Sequence, residues 1–230
     1  KKVDSIIFDL GLSSLQVRNL DRGFSFNSNA KADMRMGLNS ISAIDVINNY
    51  DFQTLKDIFN LLGEEQEGFH IASNIVKARK QKPIVNIPEL VNIIKKSKKK
   101  NFKKKINIST KTFQAIRIFV NKEISELIEG LIEATKVLKK NGKIIVVSFH
   151  SIEDKIVKYF FTNFSTNKSR GSRYYPDSND RNTLFRNYKN KIIRPTDSEI
   201  KINNPSRSAK LRFASRSDQE FFYPKDLKDK

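Results

Sequence analysis

The hydrophobic pattern near both ends of the chain predicts an α/β sheet. Val3–Phe8 and Ile144–Phe149 are short apolar runs, which is the pattern of parallel strands that are buried on both faces. Before the second run, apolar residues recur three and four positions apart over 124–138, as on one face of an amphipathic helix. Asn141-Gly142 is the predicted stop of this helix, because glycine readily adopts the left-handed conformation found there. This order of elements favours an open sheet with mainly parallel strands.

The middle of the chain has a different pattern. Over 40–97 the apolar spacing is helical, prolines interrupt it, and no stretch alternates as a half-buried strand would. The predicted helices are Ile44–Tyr50, Phe52–Leu62, Phe69–Arg79 and Ile87–Lys96. The pattern therefore predicts a helical domain inserted into the α/β domain.

The last third of the chain returns to α/β patterning. Ser151-Ile152-Glu153-Asp154 matches a capping box and predicts a helix that opens at Ser151 and runs to about Phe161. Lys191–Arg194 and Ala209–Ala214 are predicted strands that would close the sheet.

Charge points to a polyanionic partner. The formal net charge is +19 and the isoelectric point is about 10.0, and lysines or arginines near phosphates release condensed counterions. Drift towards Lys, Asn and Ile in an AT-rich genome would produce the same bias. The run Lys95–Lys105 contains no acid and is typical of a solvated loop, of a phosphate-contacting loop, or of both. A further segment, 166–194, is typical of an RNA surface or of a disordered connection, with Arg170, Arg173, Tyr174, Tyr175, Arg181 and Arg186 as its basic and aromatic residues.

Composition also excludes several classes of site. The chain has no cysteine and only His70 and His150, which excludes disulfides and cysteine-ligated zinc and argues against a multi-histidine metal centre. No apolar run is long enough to span a membrane, and no signal peptide is present, so we expect a cytoplasmic protein. The chain starts without Met and enters a strand almost at once. We therefore expect an N-terminally truncated chain.

Candidate chemistry lies where the predicted strands end, because ligands of open α/β sheets bind beyond the carboxyl ends of the strands. Asp9 and His150 both hold such positions, and Gln16 follows seven residues after Asp9. Asp9 could instead cap a turn, and His150 could instead cap the helix that begins at Ser151. Without a cysteine nucleophile, the route open to a methyltransferase is direct displacement at the methyl donor, aided by proximity and charge placement.

Four segments together resemble the bacterial small-subunit ribosomal RNA cytosine-N4 methyltransferase family, RsmH or MraW. They follow the family's order along nearly the whole chain. The segments are Phe8–Gln16 with Asp21–Phe26 and Asp33–Met36, then Thr112–Glu123, Ser148–Lys158 and Asn204–Arg212.

The resemblance implies a Rossmann-like class I methyltransferase sheet interrupted by a helical domain. It places the methyltransferase domain at 1–20 and 112–230, and an inserted, RNA-recognising helical domain at 21–111. It implies S-adenosyl-L-methionine as cofactor, with Asp9 and Gln16 as the residues that contact it. The family's Gly-Gly-His cofactor turn does not occur in this sequence, so about three strands are expected to be missing and the fragment is expected to be inactive.

The implied reaction is methylation of N4 of a cytidine in the decoding region of 16S ribosomal RNA, with the small ribosomal subunit as partner and no membrane. Lys111, Arg117, Lys210 and Arg212 are the candidate RNA-binding residues. Lys111 replaces the family's usual Arg and loses its bidentate grip on phosphate, and Leu15 replaces a usual Pro.

The expected chemistry needs groups that hold the hydrogens of a cytosine amine, because its lone pair is delocalised into the ring. Asp9 or the Ser148–His150 loop could accept them after the base leaves its stack, with His150 as the candidate catalytic residue. The alternative function is a non-catalytic, basic RNA-binding or ribosome-assembly module. A DNA amino-methyltransferase is disfavoured, because Asp9-Leu10-Gly11 stands where those enzymes carry a Pro-Pro-aromatic motif.

Overall fold

The chain divides into two compact units. A computed structural model describes residues 1–98, 107–165, 183–186 and 188–223. The α/β unit comprises Lys1–Gly11 and Ile124–Lys230, and the helical unit comprises Leu12–Glu123. Part of the predicted phosphate-contacting run, 99–105, and five of the six candidate RNA-surface residues of 166–194 lie outside the described residues.

The described elements follow in this order along the chain. They are β1 (Val3–Asp9), α1 (Ser14–Arg18), a 3-10 turn (Leu20–Arg22), α2 (Ala43–Asn49), α3 (Phe52–Asp57), a π-helical turn (Ile58–Leu62), α4 (Gly68–Gln81), α5 (Ile87–Ser97), α6 (Thr110–Val120), α7 (Glu123–Val137), β2 (Leu138–Ser148), α8 (Ser151–Asn163), β3 (Phe185–Arg186), α9 (Asp197–Ile202), a second 3-10 turn (Asn204–Ser208) and β4 (Lys210–Arg216).

The α/β unit is built on a sheet with the strand order β1-β2-β4-β3. β1 and β2 are parallel, whereas β4 is antiparallel to both β2 and β3. The α/β architecture is confirmed. Antiparallel strands beside a parallel pair are common in such sheets. The strand predicted at Ala209–Ala214 is β4, while Lys191–Arg194 forms only a single bridge, from Ile193 to Leu211.

The prediction that β1 is buried on both faces is wrong. Among the described strands β1 pairs only with β2, and Ile7 is 68% exposed. The unit's core lies on β2 instead, where Ile144 and Val146 pack with Leu131 of α7 and Phe160 of α8. Within this chain β1 is therefore an edge strand among the described strands.

The predicted helix stop at Asn141-Gly142 is also wrong. The helix ends at Val137, and Leu138 already pairs with Val3 of β1. Asn141, at φ +64°, lies within β2, where the pairing register shifts along β1. The two residues form an irregularity within the strand, of the kind that Gly and Asn often mark.

The helical unit contains the helices that the spacing predicts at 44–50, 52–62, 69–79 and 87–96. Its core is a single apolar cluster, and Leu55, Phe59, Ile71, Ile75, Ile87, Leu90 and Ile94 are fully buried in it. The sequence reasoning missed α6, although Phe113, Ile116 and Val120 bury one helical face at suitable spacing.

The packing places the unit boundaries elsewhere than the expected 20/21 and 111/112. α6 packs against the π-helical turn and α2, so it belongs to the helical unit. α1 lies in the same unit. None of the described helices is both long and apolar enough to cross a membrane.

Candidate active site at the carboxyl edge of the sheet

The parallel strands β1 and β2 end side by side within the α/β unit. Asp9 pairs with Val147, and the Leu10 amide donates to the Val147 carbonyl at 3.0 Å. Gly11 then turns the chain at φ +93°, a conformation that favours glycine, and its missing Cβ would lie 3.8 Å from the Phe149 ring. The Asp9–Gly11 turn is therefore adjacent to the loop Ser148–His150. This edge is where open α/β sheets bind their ligands.

Asp9 is exposed at the last position of β1. An ionised carboxylate there can accept hydrogen bonds from a ligand amine. Gln16 lies in the helical unit, where it completes a capping box for α1. Its Oε1 accepts from the Ser13 amide at 2.9 Å, and Ser13 Oγ accepts from the Gln16 amide at 3.2 Å. Asp9 thus lies with the Ser148–His150 loop in one unit, and Gln16 is anchored locally in the other.

His150 is the N-cap of α8, which is the capping role that the sequence left open for it. Its Nδ1 accepts from the Glu153 amide at 3.4 Å, while its Nε2 lies 3.1 Å from Glu153 Oε1 without hydrogen-bond geometry. Ser151, the predicted first cap, is instead the first residue of the helix. The N-cap is a histidine and not the predicted serine, because the helix begins one residue before the position that the capping box at Ser151 would give.

Glu153 holds the loop and was missed by the sequence reasoning as a site residue. Its Oε2 accepts from the Phe149 amide at 3.0 Å and from the His150 amide at 3.4 Å. The residue is only 3% exposed, so water competes little for these bonds. The sequence signal was its place three residues after His150, which is the spacing of a capping box. The carboxylate fixes the backbone at the carboxyl end of β2.

The first residue of β4 lies at the same edge of the sheet. Because β4 is antiparallel to β2, its first residue, Lys210, pairs with Ser148. Ser148 Oγ donates to the Lys210 carbonyl at 3.4 Å, and Lys210 Nζ lies 3.2 Å from Asp154 Oδ2. Lys210 therefore lies at the edge, with its ammonium paired to a carboxylate of α8.

Arg212 does not fit the RNA-contact role expected for it. The residue is 3% exposed, and its Nε lies 2.6 Å from Asp154 Oδ1. Its Nη1 donates to the Tyr188 hydroxyl at 2.9 Å and to Asn190 Oδ1 at 2.8 Å. Burial alone would raise the pKa of Asp154, but Arg212 and then Lys210 outweigh it and lower that pKa. Arg212 is an internal tie between β4 and α8.

The other two RNA candidates lie in the helical unit and differ in availability. Arg117 forms a two-pronged ion pair with Glu123, with both N–O distances 2.8 Å, and its side chain is 17% exposed. This pair shields most of the guanidinium from an RNA phosphate. Lys111 is exposed, and its Nζ donates to the Glu64 carbonyl at 2.7 Å. Among the four candidate RNA-binding residues, Lys111 is exposed and forms no ion pair with a carboxylate of the described residues.

An exposed acid beside a loop held by a buried carboxylate, at the carboxyl edge of parallel strands, defines an α/β protein with a candidate ligand site at its sheet edge. The sequence identifies the particular family. The chain belongs to the MraW methylase family, whose model matches residues 1–217. The resemblance found in the four sequence segments is thereby confirmed.

Relatives agree with this assignment. The chain is 40% identical over 215 residues to ribosomal RNA small subunit methyltransferase H of Agrobacterium fabrum, which covers 94% of this chain and 63% of the relative. The proteins of the same description from Rhizobium rhizogenes and Brucella ovis are 41% and 40% identical, and cover 94% and 95% of this chain. The chain spans 63% of the length of each of these relatives.

Proposed function

We propose that the whole protein is an S-adenosylmethionine-dependent methyltransferase that modifies small-subunit ribosomal RNA at N4 of a cytidine in the decoding region. The observation that carries the proposal is that exposed Asp9 lies at the same sheet edge as the fixed Ser148–His150 loop. Family membership and the names of the relatives support the reaction class. The specific base and atom rest on the family resemblance.

The residues at the edge fit the proposed cofactor. S-adenosylmethionine carries a positively charged sulfonium, whose methyl group is the electrophile, and it has no phosphate. An exposed carboxylate at Asp9 and a partly exposed ring at Phe149 suit such a ligand, since they offer an acceptor for amines and an apolar contact.

Asp9 is the stronger candidate to accept hydrogens from the cytosine amine. Its carboxylate is exposed, whereas His150 uses Nδ1 to cap α8 and is largely buried. An acceptor at the amine favours the form in which the lone pair is available to attack the methyl group. We assign Asp9 this role and His150 the role of keeping the loop in place.

The helical unit supports an RNA substrate through its charge. From Ile75 to Lys122 the sequence contains a single acidic residue, Glu89, among many lysines. Between α4 and α5 a groove of about 310 Å³ is lined by Asn74, Lys77, Ala78, Gln81, Ile93 and Lys96. Two ammonium groups and two amides, with no acid in the lining, suit a phosphate backbone. The same groove would serve the alternative function, a non-catalytic RNA-binding module.

The test compares two identical substitutions on β1 in the whole protein. Asp9→Asn removes the charge at the site, and Asp4→Asn removes an exposed charge near the other end of the strand. We expect Asp9→Asn to lower methyl transfer to unmodified small subunits by about a hundredfold with RNA affinity unchanged, and Asp4→Asn to change neither. Radiolabelled methyl incorporation gives the rate, and nucleoside mass spectrometry identifies the product.

The outcomes separate the two functions. N4-methylcytidine formed by the wild-type protein and lost with Asp9→Asn supports the enzyme. Tight RNA binding without methyl transfer by the wild-type protein would establish the binding module instead. Transfer to another atom would refute the proposed specificity.

A further inference from the structure

Three sequence motifs that the proposed reaction does not use meet at one pocket within the helical unit. They are Asp21–Phe26, Asp33–Met36 and the first part of Thr112–Glu123. The pocket has a volume of about 170 Å³ and is lined by Leu12, Phe24, Phe26, Met34, Thr110, Phe113, Gln114 and Arg117. Although Thr112–Glu123 lies far along the chain from the other two segments, the fold brings all three together at this one place in the unit.

Met34 adopts a strained backbone conformation in the wall of this pocket. Its φ is +60°, in the left-handed region that a bulky side chain rarely enters, and the residue is 1% exposed. Two hydrogen bonds hold it: its amide donates to the Arg22 carbonyl at 3.0 Å, and its carbonyl accepts from Asn121 Nδ2 at 2.8 Å. Strain that the surroundings enforce in this way clusters at ligand sites.

The apolar walls suit a flat ring. Phe26 and Phe113 pack edge to face, with ring centroids 6.2 Å apart, and Phe24 and Leu12 complete the apolar lining. Pockets for drug-sized ligands are roughly 300–1,000 Å³, so this smaller one fits a single heterocyclic ring. A pyrimidine, with one ring, therefore fits this volume better than a purine, with two.

The polar groups of the lining offer what the edge of a base requires. Gln114 is half-buried, and its amide supplies both a donor and an acceptor. Arg117 is held in place because its Nε and Nη2 donate to the Glu123 carboxylate. These two bonds do not involve Nη1. Bases that leave the RNA stack are held between aromatic or apolar side chains and recognised by hydrogen bonds to their edges.

We propose that this pocket binds one unstacked pyrimidine base of the RNA, with Gln114 bonding to its edge. The proposal rests on the proposed function in so far as the ligand is RNA. It adds a base-recognition site in the helical unit, separate from the residues assigned above to the methyl-transfer chemistry.

The experiment compares two RNAs on three forms of the whole protein. One short single-stranded RNA carries a cytosine at its centre, and the other has an abasic site there. For the wild-type protein we expect the abasic RNA to bind about tenfold more weakly than the cytosine RNA, because one stacked and hydrogen-bonded base is lost. We call this loss of affinity the abasic penalty. Gln114→Leu keeps the volume and removes the hydrogen bonds, so the abasic penalty should largely disappear.

Gln53→Leu is the matched control, since Gln53 lies on α3 outside the pocket and bonds to neighbours on its own helix. It should keep the full penalty. Gln114→Glu serves as a second variant if Gln114→Leu misfolds, because it keeps the shape and removes the donor, and it should also reduce the penalty.

Each contrary result has a distinct meaning. A penalty that persists in both Gln114 variants overturns the pocket while leaving an RNA substrate intact. If the Gln114 variants lower the affinity for S-adenosylmethionine and leave the abasic penalty unchanged, the pocket contacts the cofactor and the proposed base site is wrong. No RNA binding by the wild-type protein overturns both this pocket and the proposed function.

Discussion

At the scale of single residues, several basic side chains of this strongly basic chain serve the fold. Arg212 is buried among Asp154, Tyr188 and Asn190, and Arg117 is paired with Glu123. Removing one partner of a buried ion pair leaves an uncompensated charge, which costs far more than the pair itself contributes. We therefore expect these arginines to stabilise the fold.

Arg212→Ala should therefore destabilise the α/β unit without changing RNA affinity. We expect a loss of about 3–5 kcal/mol in the free energy of unfolding, because Asp154 would stay buried without its main partner. Urea denaturation gives the stability, and filter binding under folding conditions gives the affinity. Arg207→Ala, at an exposed position, is the control and should change stability little. A loss of RNA affinity at full stability would instead restore Arg212 as an RNA contact.

Asn121 is a second residue whose role is to fasten distant segments. Its Oδ1 accepts from the Met36 amide at 2.7 Å and from Asn39 Nδ2 at 2.9 Å, and its Nδ2 donates to the Met34 carbonyl. Asn121→Ala should cost about 2 kcal/mol in unfolding free energy, because it leaves partly buried backbone groups unpaired. Hydrogen exchange of the Met36 amide should become faster. The exposed Asn49, changed to Ala, should leave that exchange rate unaltered.

At the scale of elements, α5 illustrates how a helix start is fixed by one carboxylate. Glu89 accepts from the amides of Val85 and Asn86 at 3.0 and 3.2 Å, and from Lys82 Nζ at 2.9 Å. The backbone bond from Val85, followed by the Lys82 and Asn86 bonds, lowers the pKa of Glu89 from 4.5 to about 2. A folded-state pKa below the ordinary value means that the ionised group stabilises the fold.

The pH dependence of that stabilisation has a definite sign. The contribution of Glu89 is fully present above its ordinary pKa of 4.5 and is lost as the pH falls towards about 2. Glu89→Gln should therefore lower the melting temperature at neutral pH, and the difference from wild type should shrink between those two values. Glu133→Gln, at an exposed surface ion pair on α7, should show no such convergence. A Glu89→Gln difference that stays constant with pH would contradict the assignment.

At the scale of the whole molecule, charge is distributed unevenly along the chain. The stretch from Ile75 to Lys122 has Glu89 as its single acid, whereas acids and bases are mixed in the preceding part of the helical unit. Lysines at the α4–α5 groove, Lys77 and Lys96, belong to the basic stretch. A surface of this kind binds RNA mainly through counterion release, which makes affinity depend steeply on salt.

The double change Lys77→Gln with Lys96→Gln should weaken RNA binding and flatten its salt dependence. We expect the slope of log affinity against log salt to fall by about one for each phosphate that no longer meets a lysine. Lys136→Gln with Lys139→Gln removes the same charge from lysines that already pair with carboxylates, and it should alter the slope less. If both double variants give the same slope of log affinity against log salt, the RNA backbone does not bind at the α4–α5 groove.

The sequence by itself determined the four helices predicted over 44–96 and the family. Apolar spacing at three and four residues is local information, and the predicted helices of the helical unit lie where that spacing places them. The four motifs were specific enough to indicate the family that the comparison confirms. Asp9 was correctly placed at the end of a strand, and His150 lies two residues after the end of β2.

Only the tertiary structure decided what each motif residue contacts. It buried Arg212 against Asp154, showed His150 as a helix cap and brought Phe26 beside Phe113. Burial and pairing depend on which distant segments meet, and that choice is made by the packing of whole elements. Local spacing therefore predicts where a helix or strand lies, and the assembled core determines whether its polar residues face a ligand or another part of the chain.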